Sequence, residues 1–300
     1  MSSLSIIIPY RNREDFLPRT LCSILSAKKV QLQLILVDNG SSDSSPQICS
    51  DFEKRHHNPN LEIINISEPS GGVCRARNAG LTTATSPYVY FFDSDDELSP
   101  LFLSDALKRF SNATLPLDIV AAPTKMVFQD GRTKVRYTSR SATIADQVLT
   151  GMLSTQTMVF RKDFLIQAGG WNEELPKWND WELGIRSIRH NARIVWLEAP
   201  CNRIYQHQQS LTSMPPSAGY AAMRKALQSS APLLAGNCKA ERALAVRALL
   251  LAEAMRRAGN PVEARQTERE FPLPPILRRI LLIHARLFNK GVWRLARLLI

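Results

Sequence analysis

Unbroken apolar runs alternate with helix-like stretches through the first hundred residues. "LSIII" (4–8) predicts a short buried strand, followed by a helix that ends near "LCSILSA". "LQLILVD" (32–38) predicts a second strand, closed by the turn-rich "NGSSDSS". Ser45 followed by Pro46 predicts a helix cap and first helical position. "LEIINI" (61–66) is a third strand, and "GGVCRARNAGLTTA" (71–84) opens on Gly71-Gly72 and continues as a helix. "YVYFFD" (88–93) is a fourth strand, with a further helix starting at Pro100. This spacing predicts right-handed crossovers and a mostly parallel sheet. The runs are apolar throughout because helices cover both faces of such a sheet.

The second half is mixed. "KMVFQDGRTKVRY" predicts a hairpin turning at Asp130-Gly131. "TMVFRKDFL" starts as a strand and turns helical. "NDWELGIRSIRH" predicts a helix with Leu183, Ile185 and Ile188 as core positions, and "RIVWLE" and "NRIYQH" are strand-like. After "SMPPS" (213–217) the composition shifts to Ala, Leu and Arg, predicting helices over 218–259 and again after Pro275. The expected boundary lies near 214–217.

Composition narrows the class. At 300 residues, 44% hydrophobic and 22% charged, the chain is of ordinary globular type. Five scattered cysteines without a CxxC pair argue against a disulfide framework or zinc site and for a reducing compartment. The N-terminus begins almost at once with a strand-like run and no stretch of about 18 apolar residues occurs, so neither a secretion signal nor a membrane span is expected. The expected location is cytoplasmic. The net charge of +11 is concentrated in residues 221–300, which hold fifteen Lys or Arg and five Glu. The rest is near neutral, which removes the support for nucleic-acid binding.

Ligands of open α/β sheets bind beyond the carboxyl ends of the strands. Pro9-Tyr10-Arg11-Asn12, Asp38-Asn39-Gly40, Gly71-Gly72 and Asp93-Ser94-Asp95 should therefore converge on one edge. Asp93 and Asp95 can hold a hard cation, Mg or Mn, that takes its other ligands from water and phosphate. Equally, Asp95, Asp96 and Glu97 read as the acids of a solvated turn capping the helix that starts near Pro100. Asp38 suits a ribose or base edge, or is a turn-forming Asp. "GGVCRARN" offers backbone donors at a helix N-terminus plus Arg75 and Arg77, a combination that suits a diphosphate.

"SIIIPYRNRE", "ILVDNGSSDSS", "GGVCRARNAGL", "YVYFFDSDDEL", "GGWNEEL", "NDWELGIR" and "HQQSLT" follow one another in that order. Together, over about residues 4–213, they resemble the family 2 inverting glycosyltransferases. The resemblance implies an α/β chain with the GT-A fold: a Rossmann-like, mostly parallel central sheet with helices on both faces, here with a C-terminal helical appendage. It implies a catalytic domain over 1–214, with a nucleotide-binding half (about 1–98) and an acceptor half (about 99–214). A basic helical region then spans 215–300.

Residue roles follow from the same resemblance. Pro9, Tyr10 and Arg11 would lie along the nucleotide and Asp38 at the base. Gly72, Arg75, Arg77 and Asn78 would line the nucleotide and diphosphate. Asp93-Ser94-Asp95 matches the DxD motif, with Asp93 toward the ribose and Asp95 on a divalent cation (Mn or Mg). His207 matches a metal or diphosphate contact. Asp180 matches the general base; the preceding position is Asn179, where Glu is usual. Glu182 is a rival base. Trp178, with Trp171 and Trp181, is a candidate sugar-stacking surface. The implied partners are a nucleotide-diphosphate sugar, commonly a UDP-sugar, and a glycan or lipid-linked acceptor in bacterial surface-polysaccharide synthesis. A sugar-nucleotide nucleotidyltransferase is the rival enzyme, but "PYRNRED" lacks the glycine-rich loop that such enzymes carry after strand one. A non-catalytic membrane-associated binding protein leaves the acids and His207 unexplained. The polysaccharide synthases' QxxRW motif is absent.

The tail carries a separate expectation. Over 275–300, drawn as one helix at about 100° per residue, Arg278, Arg279, Arg286, Asn289, Lys290, Arg294 and Arg297 fall within roughly 160° of arc. No acid follows Glu270. Such a helix suits an anionic membrane surface, placing the protein peripherally on the cytoplasmic face, or packs on its own catalytic domain with the basic face solvated.

Overall fold

A computed structural model describes residues 3–27, 30–136, 143–206, 219–288 and 292–299. The apolar runs fold as strands β1 (Ser3–Tyr10), β2 (Gln31–Asp38), β3 (Leu61–Ser67) and β4 (Tyr88–Phe91). Helices α1 (Leu17–Leu25), α2 (Ser45–His56) and α3 (Val73–Thr83) connect them, and β5 (Glu97–Leu98) and α4 (Phe102–Asn112) follow. β1 to β4 are each within three residues of the predicted spans. The Ser45 cap is corrected: α2 starts on Ser45 after an N-cap at Ser44, and the Ser45 hydroxyl accepts the Arg13 N–H at 2.7 Å. The helix expected from Pro100 begins two residues later.

Next come β6 (Ile119–Ala121), β7 (Thr124–Val127), β8 (Thr133–Arg136), α5 (Ile144–Thr150), β9 (Met158–Arg161), α6 (Lys162–Gln167), α7 (Asn179–Arg189), β10 (Ile194–Trp196) and β11 (Asn202–Tyr205). The main sheet has seven strands in the order β10-β6-β9-β4-β1-β2-β3. All its pairs are parallel except those of β9, which runs antiparallel to both β4 and β6. The expected hairpin exists as β7 and β8, inside a second sheet ordered β5-β11-β7-β8. Alternation of side chains splits β1 between two cores: Ile6 and Ile8 face one side, with Leu17, Leu21 and Ile24 of α1, and Ile7 faces the other, with Cys74, Ala76 and Leu81 of α3. α3 approaches the sheet so closely that a Cβ on Gly80 would collide with the Ile7 side chain.

The C-terminal residues form α8 (Tyr220–Leu234), α9 (Cys238–Arg257), α10 (Pro261–Glu270), α11 (Pro275–Phe288) and α12 (Val292–Leu299). One expectation is corrected here. α10 was not expected, and the helix drawn over 275–300 is described as α11 and α12, with residues 289–291 outside the described residues. Leu281 of α11 and Ala296 of α12 are fully buried in an apolar cluster shared with Val148, Leu149, Trp181 and Ile185. The tail thus packs on the body of the protein. No helix among the described residues is long and apolar enough to cross a membrane. The boundary expected near 214–217 lies outside the described residues.

Candidate active site

The ends of β1, β2 and β4 and the start of α3 meet at the carboxyl edge of the main sheet. β1 and β2 run in register so that Tyr10 pairs with Asp38, and the Asn39 N–H donates to the Tyr10 carbonyl at 2.8 Å. Asp38 Oδ1 accepts the Ser41 N–H at 3.0 Å, which fixes the carboxylate within its own turn. Arg11 is exposed, whereas Pro9 is buried and the Tyr10 ring lies in the core at 3% exposure. Burial, with Cys49 beside it, pushes the Tyr10 phenol far above its ordinary value. Its side chain therefore does not lie along this edge, because even-numbered positions of β1 point into the α1 core. Gly72 caps α3 with φ +99°, a backbone conformation that L side chains rarely adopt.

The three arginine-segment residues separate in role. Arg75 is half exposed and 3.3 Å from Glu173. Arg77 is buried, with its guanidinium 4.2 Å from the Trp171 ring centre, and it donates to Asp93 Oδ1 at 3.2 Å and Asn179 Oδ1 at 3.1 Å. Asn78 donates to the Trp171 carbonyl and Glu173, each at 2.9 Å, and accepts the Trp171 N–H at 2.9 Å. Arg77 and Asn78 thus tie protein to protein, contrary to a lining role. Arg77 lies three residues after Cys74 and four before Leu81 on the buried face of α3, a spacing that could have signalled this.

The acids after β4 also divide. Asp93 remains 32% accessible, and its Oδ2 accepts from the Gln156 side chain. Burial raises its affinity for protons, Arg77 opposes that, and Asp95 adds to it. Ser94 is buried. Asp95 lies 4.0 Å from Arg13, and its carbonyl accepts from Arg19. Asp96, expected as a helix-start acid, is only 1% exposed. It accepts the Tyr205 N–H at 3.0 Å and the Gln156 amide at 2.9 Å. Burial, then Asp95 and Asp93, raise its carboxyl well above the ordinary carboxylate range. Glu97 belongs to β5 and faces Arg19 at 3.8 Å and Arg203 at 3.5 Å. Neither acid serves the next helix.

Asp180 starts α7. Its Oδ1 accepts the Trp181 N–H at 2.8 Å and its Oδ2 the Thr155 N–H at 3.3 Å. Thr155 and Gln156 occupy one short 3-10 turn before β9, so adjacent residues hold Asp180 on one side and Asp93 with Asp96 on the other. Arg77 closes the ring by joining Asp93 to Asn179. Glu182 is excluded as a rival base: it is 2% exposed and held by Arg186 at 2.7 and 2.9 Å. Trp171 and Trp181 are buried, leaving Trp178 as the partly exposed indole of the three. His207 lies outside the described residues. Among the described residues no three His, Cys, Asp or Glu side chains are grouped to hold a metal. Arg13, Arg19, Thr155 and Gln156 were not anticipated; only Arg13, the second arginine of "YRNRE", carried a sequence signal. A cleft of about 850 Å³ lies elsewhere, between α4 and residues 195–200, and none of the predicted site residues lines it.

With this geometry in hand, the family model described as "Glycosyl transferase family 2" matches residues 5–169. The chain belongs to this family. Among its relatives, the minor teichoic acid biosynthesis protein GgaA of Bacillus subtilis is 42% identical over 114 residues, 36% of this chain and 25% of that protein. The teichoic acid poly(glycerol phosphate) polymerase of Staphylococcus epidermidis is 27% identical over 203 residues, 65% of this chain and 27% of that protein. The chain therefore spans about a quarter of the length of these curated relatives. Staphylococcus aureus TarS 1–349, solved with UDP-GlcNAc, superposes with a TM-score of 0.70 at 21% identity, covering 98% of this chain and 90% of that one. The mannosyltransferase PcManGT of Pyrobaculum calidifontis, solved with GDP-Man and Mn2+, gives 0.63 at 16% identity, covering 97% and 81%. At these identities the likeness establishes the GT-A fold. The family 2 match ends before α7, so it does not reach Asp180.

Proposed function

We propose that this family 2 member is an inverting glycosyltransferase. It would move a sugar from a nucleoside-diphosphate donor to a hydroxyl of a glycan or lipid-linked acceptor, in assembly of a bacterial surface polymer. One observation carries the reading. The Thr155-Gln156 turn and Arg77 hold a candidate base, Asp180, in the same hydrogen-bonded ring as the carboxylates at the donor edge. An inverting displacement requires that arrangement: a base on the acceptor side, and charge compensation where the diphosphate leaves.

In this reading Asp38 receives the nucleoside base and Asp93 the ribose. Asp180 takes the proton from the acceptor hydroxyl as its oxygen attacks the anomeric carbon, while the bond to the diphosphate breaks on the opposite face. No enzyme nucleophile is needed. Arg13 and Arg11 offer positive charge near the leaving group. The donor set fits a divalent cation that draws most ligands from water and diphosphate, with Asp95 as the protein ligand. Such an ion, when bound, neutralises charge on the diphosphate. The names of the teichoic acid relatives and the UDP-GlcNAc held by TarS support a UDP-sugar and a surface polymer. We take residues 1–214 as the domain that carries the donor and acceptor residues.

Exposed Ile276, Ile280 and Ile283 line one face of α11 with exposed Arg279 at its edge, while Arg278 points away and pairs with Glu268 at 3.2 Å; the isoleucine face supports attraction to anionic lipid on the cytoplasmic side. Flotation with anionic and neutral vesicles checks this, and equal behaviour on both removes it. The central test is a thermal-shift screen of nucleotide sugars, including UDP-GlcNAc, with and without Mn or Mg. Stabilisation by a subset of UDP-sugars that needs the cation is expected. Stabilisation by none, or by all irrespective of metal, refutes the donor reading.

A further inference from the structure

α9 carries Arg247 from the C-terminal helical region to the start of α7. Its guanidinium carbon lies 4.2 Å from the centre of the Trp178 ring and 4.8 Å from that of Trp181, and the two rings are 5.6 Å apart. Nη1 donates to the carbonyls of Val148 and Leu149, at 3.1 and 3.2 Å, in the last turn of α5. Helix C-terminal carbonyls lack intrahelical partners and favour a cation. The Trp181 indole N–H donates to the same Val148 carbonyl at 3.0 Å. Three helices therefore meet at one guanidinium and two indoles.

Asn179 and Asp180 lie between those indoles in the chain. Trp178 has φ +57°, in the left-handed region. For a bulky residue this costs about 1–3 kcal/mol and persists only where the surroundings over-determine it. Arg247 sits over the Trp178 ring, and Trp181 packs beside it with its plane tilted by 56°. The charge of Asp180 also acts on Arg247. Burial lowers the guanidinium to about 10, Asp180 pulls it upward, and Arg136 lowers it further. It is a cation at neutral pH. Guanidinium planes stack on indoles where an ammonium does not.

We propose that Arg247 is a positioning residue for the acceptor base: seated over the Trp178 and Trp181 rings and anchored on α5, it fixes the turn that aims Asp180. The helical C-terminal region is then part of the reaction centre. This inference rests on Asp180 being the base.

The test uses the full chain carrying Arg247→Met, Arg247→Lys or Asp180→Asn. UDP affinity in the presence of Mn is measured by calorimetry. Turnover is measured as release of nucleoside diphosphate from the donor selected by the thermal-shift screen, with water as acceptor. Arg247→Met is expected to keep the UDP Kd within about threefold while kcat falls roughly 10- to 100-fold, the scale of a misaimed catalytic group. Arg247→Lys restores the charge without the planar stack, so its kcat falls between the two. An unchanged kcat in Arg247→Met overturns the proposal. So does a parallel loss of UDP affinity and kcat in both variants, the pattern of a merely structural residue. If Arg247→Met does not fold, Arg247→Gln, which keeps a donor for the Val148 carbonyl, is read in its place by the same criteria. Asp180→Asn at near wild-type rate sinks the base reading and this proposal together. An inactive Asp180→Asn beside an unaffected Arg247→Met sinks this proposal alone.

Discussion

The donor edge and the base edge of this site are built in different ways. Asp38 is fixed by a backbone N–H three residues away, and Asp93 follows directly from β4. Strand ends deliver both carboxylates to the edge, where Asp93 alone of the two then takes long-range ties, to Arg77 and Gln156. Asp180 depends on Thr155, 25 residues away, and its neighbour Asn179 on Arg77, 102 residues away. The first half of the site is a property of local sequence and sheet register. The second is assembled from long-range ties, and each tie is a separate point of failure.

The largest expected contrast sets the two halves directly against each other. Asp180→Asn should lower transfer by on the order of 10²–10⁴-fold, the usual worth of a general base, while donor affinity measured by calorimetry stays unchanged. A variant that transfers at near wild-type rate places the base elsewhere. Arg77→Met cuts the strut that joins the halves. A fully buried broken pair costs about 3–5 kcal/mol, and the partly accessible Asp93 can be rehydrated, so about 2–3 kcal/mol is expected by chemical denaturation. A loss under about 1 kcal/mol would make the strut dispensable.

Asp96 sharpens the comparison within the acid cluster. Asp96→Ala strips the Tyr205 N–H and the Gln156 amide of their acceptor, and should cost about 1–3 kcal/mol. Asp96→Asn keeps an acceptor for Tyr205 but sets its own NH2 group against the Gln156 amide, so it should lower the melting temperature by less than Asp96→Ala does. Equal destabilisation by both would mean that the ionised carboxylate itself is required. The smallest effect tests the donor half alone. Gly80→Ala drives a methyl into Ile7 and should cost about 1–2 kcal/mol through overpacking, while the ratio of transfer to donor affinity holds.

The same division decides what could be read beforehand. The four N-terminal strands, the hairpin and α7 were legible because unbroken apolar runs and helical spacing are local signals. The donor-edge acids were legible because they follow such runs. Asp96 was misread because its partners lie 109 and 60 residues away and leave no periodic trace. Gln156 and Thr155 were invisible for the same reason. Tyr10 and Arg77 were read by motif, although their own spacing along β1 and α3 turns both side chains inward. Arg247 looked like one more charge of a basic tail, since nothing in "ERALAVRALL" announces two indoles.

β9 draws a last consequence. In a parallel sheet, only the residues that leave a strand arrive at the ligand edge. Reversing one strand lets the residues that enter it arrive there too. Thr155 and Gln156 therefore stand on the approach to a strand, opposite Asp93 on the departure from its neighbour. Evolution can then change the chain upstream of β9, at residues 143–154, and retune the grip on both acids without touching any β-to-α crossover.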